Sequence, residues 1–354
     1  MNFNYSFPAV KGMQAGRKYY IAMVPIKMIS RLFPFDDEYV EPEYRAQRRI
    51  NQARIPEIKK YVIENRYSYV FSALAASIDG DFEFEESELE NLGLLKISMD
   101  AKLLINDGQH RKAALLEAVE VDKSLEDETI SIVFFEDEGL EKSQQMFTDL
   151  NKHAVKTSNS IAELYDSRDG LAVATRNMVS EVGFLNEYVD KERDILGKFS
   201  SSLFTLNTFY TANKRILNRR EISEEYENFI ISYWTVVSKH MIPWIELQNK
   251  ELSKMDLREH YIASQAVVIQ ALGKVGAYFF GNAQNMEDKL ERLEEINWKR
   301  TWTGWKLRVI RANGRMINNE TAISLAANVI KKSIGIKLNE DEQEQERKFI
   351  ESIK

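Results

Sequence analysis

The chain has 354 residues, which is enough for about two domains at roughly 150 residues each. Its 44% hydrophobic and 29% charged residues are those of an ordinary globular protein. With 48 basic against 55 acidic residues the net charge is −7, which excludes a uniformly basic nucleic-acid binder but not a local basic face. Cysteine is absent, which excludes disulfides, thiolate metal sites, iron–sulfur clusters and cysteine nucleophiles on this chain.

In chain order, the apolar run over residues 19–24, ending before Pro25, predicts a strand. Residues 42–66 read as helix-rich, with Pro56 in the first turn of a second helix, where proline is tolerated. Residues 69–78 predict a strand closed by an Asp79-Gly80 turn, and residues 103–105 a brief apolar strand. Residues 110–119 have helical periodicity, residues 130–135 alternate as a strand does, and residues 139–150 return to helix. After about Ser160 strand signals become scarce. Helices are predicted over residues 170–182, 221–240, 257–280, 286–297 and 321–333, with hinges near residues 157–160 and 197–202. The acidic end, residues 339–354, is a solvated helix or a tail. The expectation is an α+β protein: an α/β domain over residues 1–160 and a mainly helical domain over residues 161–354.

The first 27 residues lack the pattern of a secretory signal. The most apolar stretch, residues 261–280, is interrupted by Ser264, Gln265, Gln270 and Lys274, so a buried helix is favoured over a membrane span. A cytoplasmic protein without a membrane partner is expected. The acid-rich pieces at residues 36–38, 82–90 and 136–138 lack calcium-loop spacing and read as solvated loops, so no metal site is assigned. Walker-type, GxSxG and HExxH motifs are absent from the sequence.

The most informative segment runs from Leu103 to Ala114: an apolar strand, a polar turn with glycine, then a helix opening with His-Arg-Lys. Gly108 permits a sharp turn and close approach of a ligand. The positive end of the following helix favours an anion. Gln109 adds an amide, and Arg111 can clamp two phosphate oxygens. His110 can donate a hydrogen bond or move a proton. Asp107 can cap the helix, orient His110 or hold a cation. A phosphate-bearing ligand fits this pattern. So does a plain Asp-Gly turn, with Asp107 as a cap and Arg111 paired to Glu117 or another acid.

Residues 107–111, Asp-Gly-Gln-His-Arg, spell the signature of the DGQHR-domain proteins. Residues 147–154 resemble the family's second block, and residues 54–62 the helix before its central strands. Residues 302–318 and then 326–332 resemble the closing region of the DndB family, which is associated with DNA phosphorothioate modification. The stretch 183–255 adds little to the match. The resemblance implies a DNA-binding regulator of a modification gene cluster. It also implies a fold similar to the ParB N-terminal and sulfiredoxin-like domains, whose loop contacts nucleotide phosphates and in some relatives supports nucleotide hydrolysis or DNA cleavage. Gln109-His110-Arg111 departs from the Glu-Arg-Arg of ParB, losing one arginine and gaining an imidazole, and Gln109 stands where sulfiredoxin has cysteine. By this resemblance Gly108, Gln109, Arg111, Asn151 and Lys152 hold phosphates, with Asn151 as a helix C-cap the alternative. Asp107 and His110 are then the catalytic candidates, and ATP or another NTP with Mg the implied cofactor.

Three basic clusters are candidates for DNA contact. Arg45, Arg48 and Arg49 crowd one predicted helix face, near Arg54, Lys59 and Lys60. Lys214, Arg215, Arg219 and Arg220 form a smaller group. Between Glu295 and Glu320 there is no acid, but there are Lys299, Arg300, Lys306, Arg308, Arg311 and Arg315, interleaved with Trp298, Trp302 and Trp305. Cations and indoles interleaved in this way suit nucleic acid. The tryptophans also have the spacing of a buried helix face, and core packing is their favoured job.

The leading expectation is a repressor-type regulator that binds double-stranded DNA, with other phosphorothioate-modification proteins as partners and homo-oligomerisation left open. The alternatives are a nucleotide-hydrolysing or DNA-nicking enzyme using residues 107–111, and a scaffold for modification enzymes.

Overall fold

The computed structural model describes residues 3–353 apart from 35–50, 138, 140–141, 143–144, 147–148, 151–157 and 283. The chain divides into two compact units, Met1–Val155 and Lys156–Lys354.

Unit 1 is built on a seven-stranded sheet. Its strands are β1 (Asn4–Gln14), β2 (Arg17–Pro25), β3 (Leu74–Asp79), β4 (Phe82–Glu86), β5 (Leu92–Ser98), β6 (Lys102–Asp107) and β7 (Thr129–Glu136). They are ordered β4-β5-β1-β2-β7-β3-β6. Only β3 and β7 run parallel; the other pairs are antiparallel. Strand alternation decides what each face does. In β2, Tyr20, Ala22 and Val24 are buried while Ile21 and Met23 are exposed, and in β7 Ile130, Ile132 and Phe134 are buried. The buried face carries α1 (Ile26–Leu32), α2 (Ile55–Glu64) and α3 (Gln109–Val121). These helices contribute Ile26, Ile29, Val62, Leu115 and Ala118 to one core.

Four strand predictions hold, with shifted ends for residues 69–78, where pairing begins only at Leu74. β1, β4 and β5 were not predicted. The acidic piece 82–90, read as a loop, begins as β4, because Phe82 and Phe84 turn inward onto Tyr20 while Glu83 between them and Glu85 beyond face water. The predicted first helix within residues 42–66 falls largely outside the described residues, whereas α2 starts with Pro56 in its first turn as expected. Of residues 139–150, Gly139 is described and is not helical, whereas Lys142, Gln145, Met146, Asp149 and Leu150 are described and are helical.

Unit 2 is helical: α4 (Asn159–Tyr165), α5 (Gly170–Glu181), α6 (Gly183–Tyr188), α7 (Leu206–Leu217), α8 (Glu224–His240), α9 (Ile242–Gln248), α10 (Lys254–His260), α11 (Ala266–Phe279), α12 (Met286–Glu291), α13 (Glu320–Ser333) and α14 (Glu340–Ser352). A two-residue parallel pair, Val189–Asp190 with Phe204–Thr205, is its only sheet among the described residues. The core gathers Trp234, Trp244 and Trp305 with Phe209 and Phe279. The fully buried amide of Asn213 donates to Thr175 and accepts from the Trp234 indole at 2.8 Å, so it is satisfied inside the core. Gly273 of α11 lies against the α7 backbone. A Cβ there would stand 2.5 Å from the Ala212 carbonyl oxygen, so glycine sets how closely the two helices pack.

Here too the helices differ from expectation in their ends. The predicted helix over residues 257–280 is two, α10 and α11, separated at Tyr261–Gln265. The predicted hinge at residues 157–160 contains the start of α4, whose cap Ser158 accepts from the Ile161 amide. The acidic end is a helix, α14, opened by a capping box between Asn339 and Glu342.

Candidate functional site

Two places collect the residues singled out by sequence. The first is the turn from β6 into α3. Gly108 has φ 103° and ψ 16°, the left-handed region that disfavours a side chain. A Cβ there would lie 2.3 Å from Leu74 Cδ2, so both backbone and space require glycine. Gly108, not Asp107, is the N-cap of α3.

Asp107 instead accepts from Arg111, one helical turn on, at 2.6 Å. The same guanidinium donates to the carbonyls of Ser72 at 2.7 Å and Ala73 at 2.8 Å, and to the Ser72 hydroxyl. Arg111 therefore clamps the chain entering β3 to the first turn of α3. It is not paired with Glu117, whose partner is Lys59. His110 is half-buried, and its Nε2 accepts from the Asn51 amide at 3.0 Å, which places the ring proton on Nδ1. Gln109 is buried, its Nε2 pointing to the Ile105 carbonyl at 3.4 Å. Asn106, fully buried, donates to Ser77 at 2.6 Å and contacts Met146 sulfur, but its Oδ1 has no hydrogen-bond partner. An orphaned buried oxygen is uncommon and costs about 1–3 kcal/mol. Asn151 and Lys152 lie outside the described residues, as do Arg45, Arg48 and Arg49.

The second place is the acid-free stretch. Its tryptophans do not form a helix: Thr303–Trp305 is a single 3-10 turn, and Leu307 has φ 61°. They are core residues nonetheless. Trp298 stacks on Trp305 with centroids 5.8 Å apart, Trp302 meets Trp305 edge-on at 5.1 Å, and the buried indoles donate to the Leu293 and Asn297 carbonyls. This packed base holds a hairpin-like loop. Lys306 bridges to Ile310, Ile310 bridges to Met316, and the Arg311 amide donates to the Arg315 carbonyl at 2.8 Å. Gly314, φ 78°, makes the turn, and Asn313 accepts from the Arg315 amide.

The six cations of this stretch divide into two sets. Arg300 is half-buried and donates to the carbonyls of Arg258 and Tyr261, and burial lowers its pKa. Arg308 is held by Glu346 of α14 at 2.7 Å and lies over the Phe349 ring. Lys299, Lys306, Arg311 and Arg315 are exposed and have no ion pair among the described residues. Sequence could not separate these sets, because the partner of Arg308 lies 38 positions away. The smaller basic group is also partly used: Arg215 pairs with Glu320, and Arg220 donates to the Phe280 carbonyl.

The family model of DndB, described as DNA-sulfur modification-associated, matches residues 7–337. The chain belongs to the DndB family. The match spans both units, so both the Gly108 turn and the Arg311–Arg315 loop fall within family sequence, whereas α14 follows the last matched residue. Membership places the chain with DNA phosphorothioate modification systems. No curated protein and no solved structure matches. No helix among the described residues is long and apolar enough to cross a membrane, and none of their His, Asp and Glu side chains form a group of three placed to hold a metal ion.

Proposed function

We propose that this DndB-family chain is a DNA-binding regulator of a phosphorothioate-modification gene cluster, with duplex DNA held by the loop of Lys306, Arg311 and Arg315 and by neighbouring Lys299. The observation that carries the reading is the division of the acid-free stretch: two arginines tie the fold together while four exposed cations remain on one loop and its base. Cations without protein partners suit phosphates, and a loop seated on stacked tryptophans presents them without much ordering cost on binding. Phosphate contact of this kind is sequence-independent, so operator choice requires base or shape readout by other groups. The test is a binding titration of promoter duplex against unrelated duplex, each with and without phosphorothioate. Preferential binding of the promoter supports the regulator, and equal, salt-insensitive retention of all four duplexes removes it.

A second reading has the Gly108 turn act on a nucleotide, with Gly108, Gln109 and Arg111 on phosphates, Mg as counter-ion, and His110 or Asp107 positioning water. The orphaned Asn106 oxygen beside Asp107 favours it, since an unsatisfied buried polar group calls for an explanation, and a catalytic role is one of them. It requires Arg111 to exchange acceptors, from Asp107 and the backbone to phosphate. Absence of phosphate release from any nucleotide, with and without DNA, removes this reading.

A further inference from the structure

One face of the unit 1 sheet carries the helices; the other presents apolar side chains to solvent across β5, β1 and β2. Leu92 pairs with Val10, Val10 with Ile21, and Leu94 with Pro8, so these side chains stand side by side. Met23 lies two residues beyond Ile21 on the same face. Val10 is 47% exposed, Met23 54% and Leu94 40%, too open for core residues. Together they line a shallow groove of about 650 Å³.

We propose that this groove docks an amphipathic basic helix of a partner protein. The proposal is independent of the DNA-binding reading. The floor spans three strands at ~4.8 Å spacing, about 10 Å, which is the width of a helix. β5, β1 and β2 are each paired on both sides, so no strand can be added there. An occupant must satisfy its own backbone, and a helix does so. The β4 border fixes the charge. Residues 81–90 hold Asp81, Glu83, Glu85, Glu86, Glu88 and Glu90, all exposed, with no base among them. Lys96 and Lys11 neutralise Glu85 and Glu86. Asp81, Glu83, Glu88 and Glu90 have no ion pair among the described residues. The border therefore repels nucleic acid and favours lysine or arginine flanking an apolar stripe. The exposed apolar area is on the order of a few hundred Å², a size that marks interaction sites, but short of the ~800 Å² per partner of a standard stable complex. That favours one helix over a second copy of the chain.

The test titrates the full chain into a labelled synthetic helical peptide that has a leucine face flanked by lysines, followed by fluorescence anisotropy. Saturable one-to-one binding is expected, weakened at least about tenfold by Met23→Glu and by Glu88→Lys with Glu90→Lys. Leu94→Gln is a second, milder groove variant, and unchanged thermal melting certifies the fold of each. A peptide with the same leucine face flanked by glutamates should not bind. No saturable binding, equal binding by wild type and all variants, or equal binding of the glutamate peptide overturns the proposal. So does a concentration-dependent dimer, seen by sedimentation without peptide and abolished by Met23→Glu, because a second copy then occupies the groove.

Discussion

Arg308 and Glu346 form an ion pair of 2.7 Å that joins the base of the basic loop to α14, with only 15% and 6% of the two side chains exposed. Glu346 also accepts from Asn328 and from Lys332. Burial alone would raise its carboxyl pKa, but the hydrogen bonds and charges of Arg308, Asn328 and Lys332 outweigh burial and hold it below the usual range. Removing one partner of such a pair leaves the other buried and uncompensated. Glu346→Ala is expected to destabilise the protein by about 3 kcal/mol, read by urea denaturation. A depressed carboxylate stabilises the fold above its unfolded pKa, and that stabilisation is lost as pH falls through its folded pKa. Glu346→Gln should therefore flatten the acid limb of the stability profile below about pH 4.5.

Glu163 behaves in the opposite sense. Burial, followed by the nearby charges of Asp194 and Asp169, raises its carboxyl to about 7, and its Oε2 has no hydrogen-bond partner. The folded state then holds a proton that the unfolded chain releases near pH 4.5, so stability falls as pH rises from there towards 7. Glu163→Gln is expected to stabilise the protein by about 1–2 kcal/mol at pH 8, allowing for partial solvation, and to change little at pH 4. Thermal melts at the two pH values check this.

Gly108→Ala is expected to destabilise unit 1 by about 1–3 kcal/mol for its left-handed backbone alone, with the displacement of Leu74 added. Denaturant unfolding of the full chain measures it, and a neutral result would mean that the turn relaxes.

Arg111→Lys keeps the charge but loses the fork that reaches Asp107 and two carbonyls together. A loss of about 1–2 kcal/mol is expected, because the part-exposed acceptors Asp107, Ser72 and Ala73 lose hydrogen bonds from a charged donor. Full stability in the lysine variant would show that the clamp is dispensable.

How much of this was legible beforehand differs by element. The strand–Gly108–helix unit was readable because local signals agree there: an apolar run, an obligatory glycine and helical periodicity. β1 was hidden by Pro8 and Gly12 inside the strand, and β4 by its alternating glutamates, whose phenylalanines reveal their direction only against Tyr20. The tryptophan spacing correctly implied burial but not conformation, since Leu307 and the close packing of Trp302 on Gly304 break any helix. Long-range pairing was the least readable feature. Arg111 reads as a phosphate clamp until the carbonyls of Ser72 and Ala73 are seen to hold it, and Arg308 reads as a free cation until Glu346 is placed beside it.

The most direct measurement is the salt dependence of duplex DNA binding by the wild type and by Arg311→Ala with Arg315→Ala. Each phosphate contact contributes about 0.9 to the slope of log K against log salt. The double variant should bind promoter and unrelated duplexes more weakly, by a similar factor, with the slope reduced by about 2 and the melting temperature unchanged. Unchanged affinity and slope in a folded double variant would contradict DNA binding through this loop.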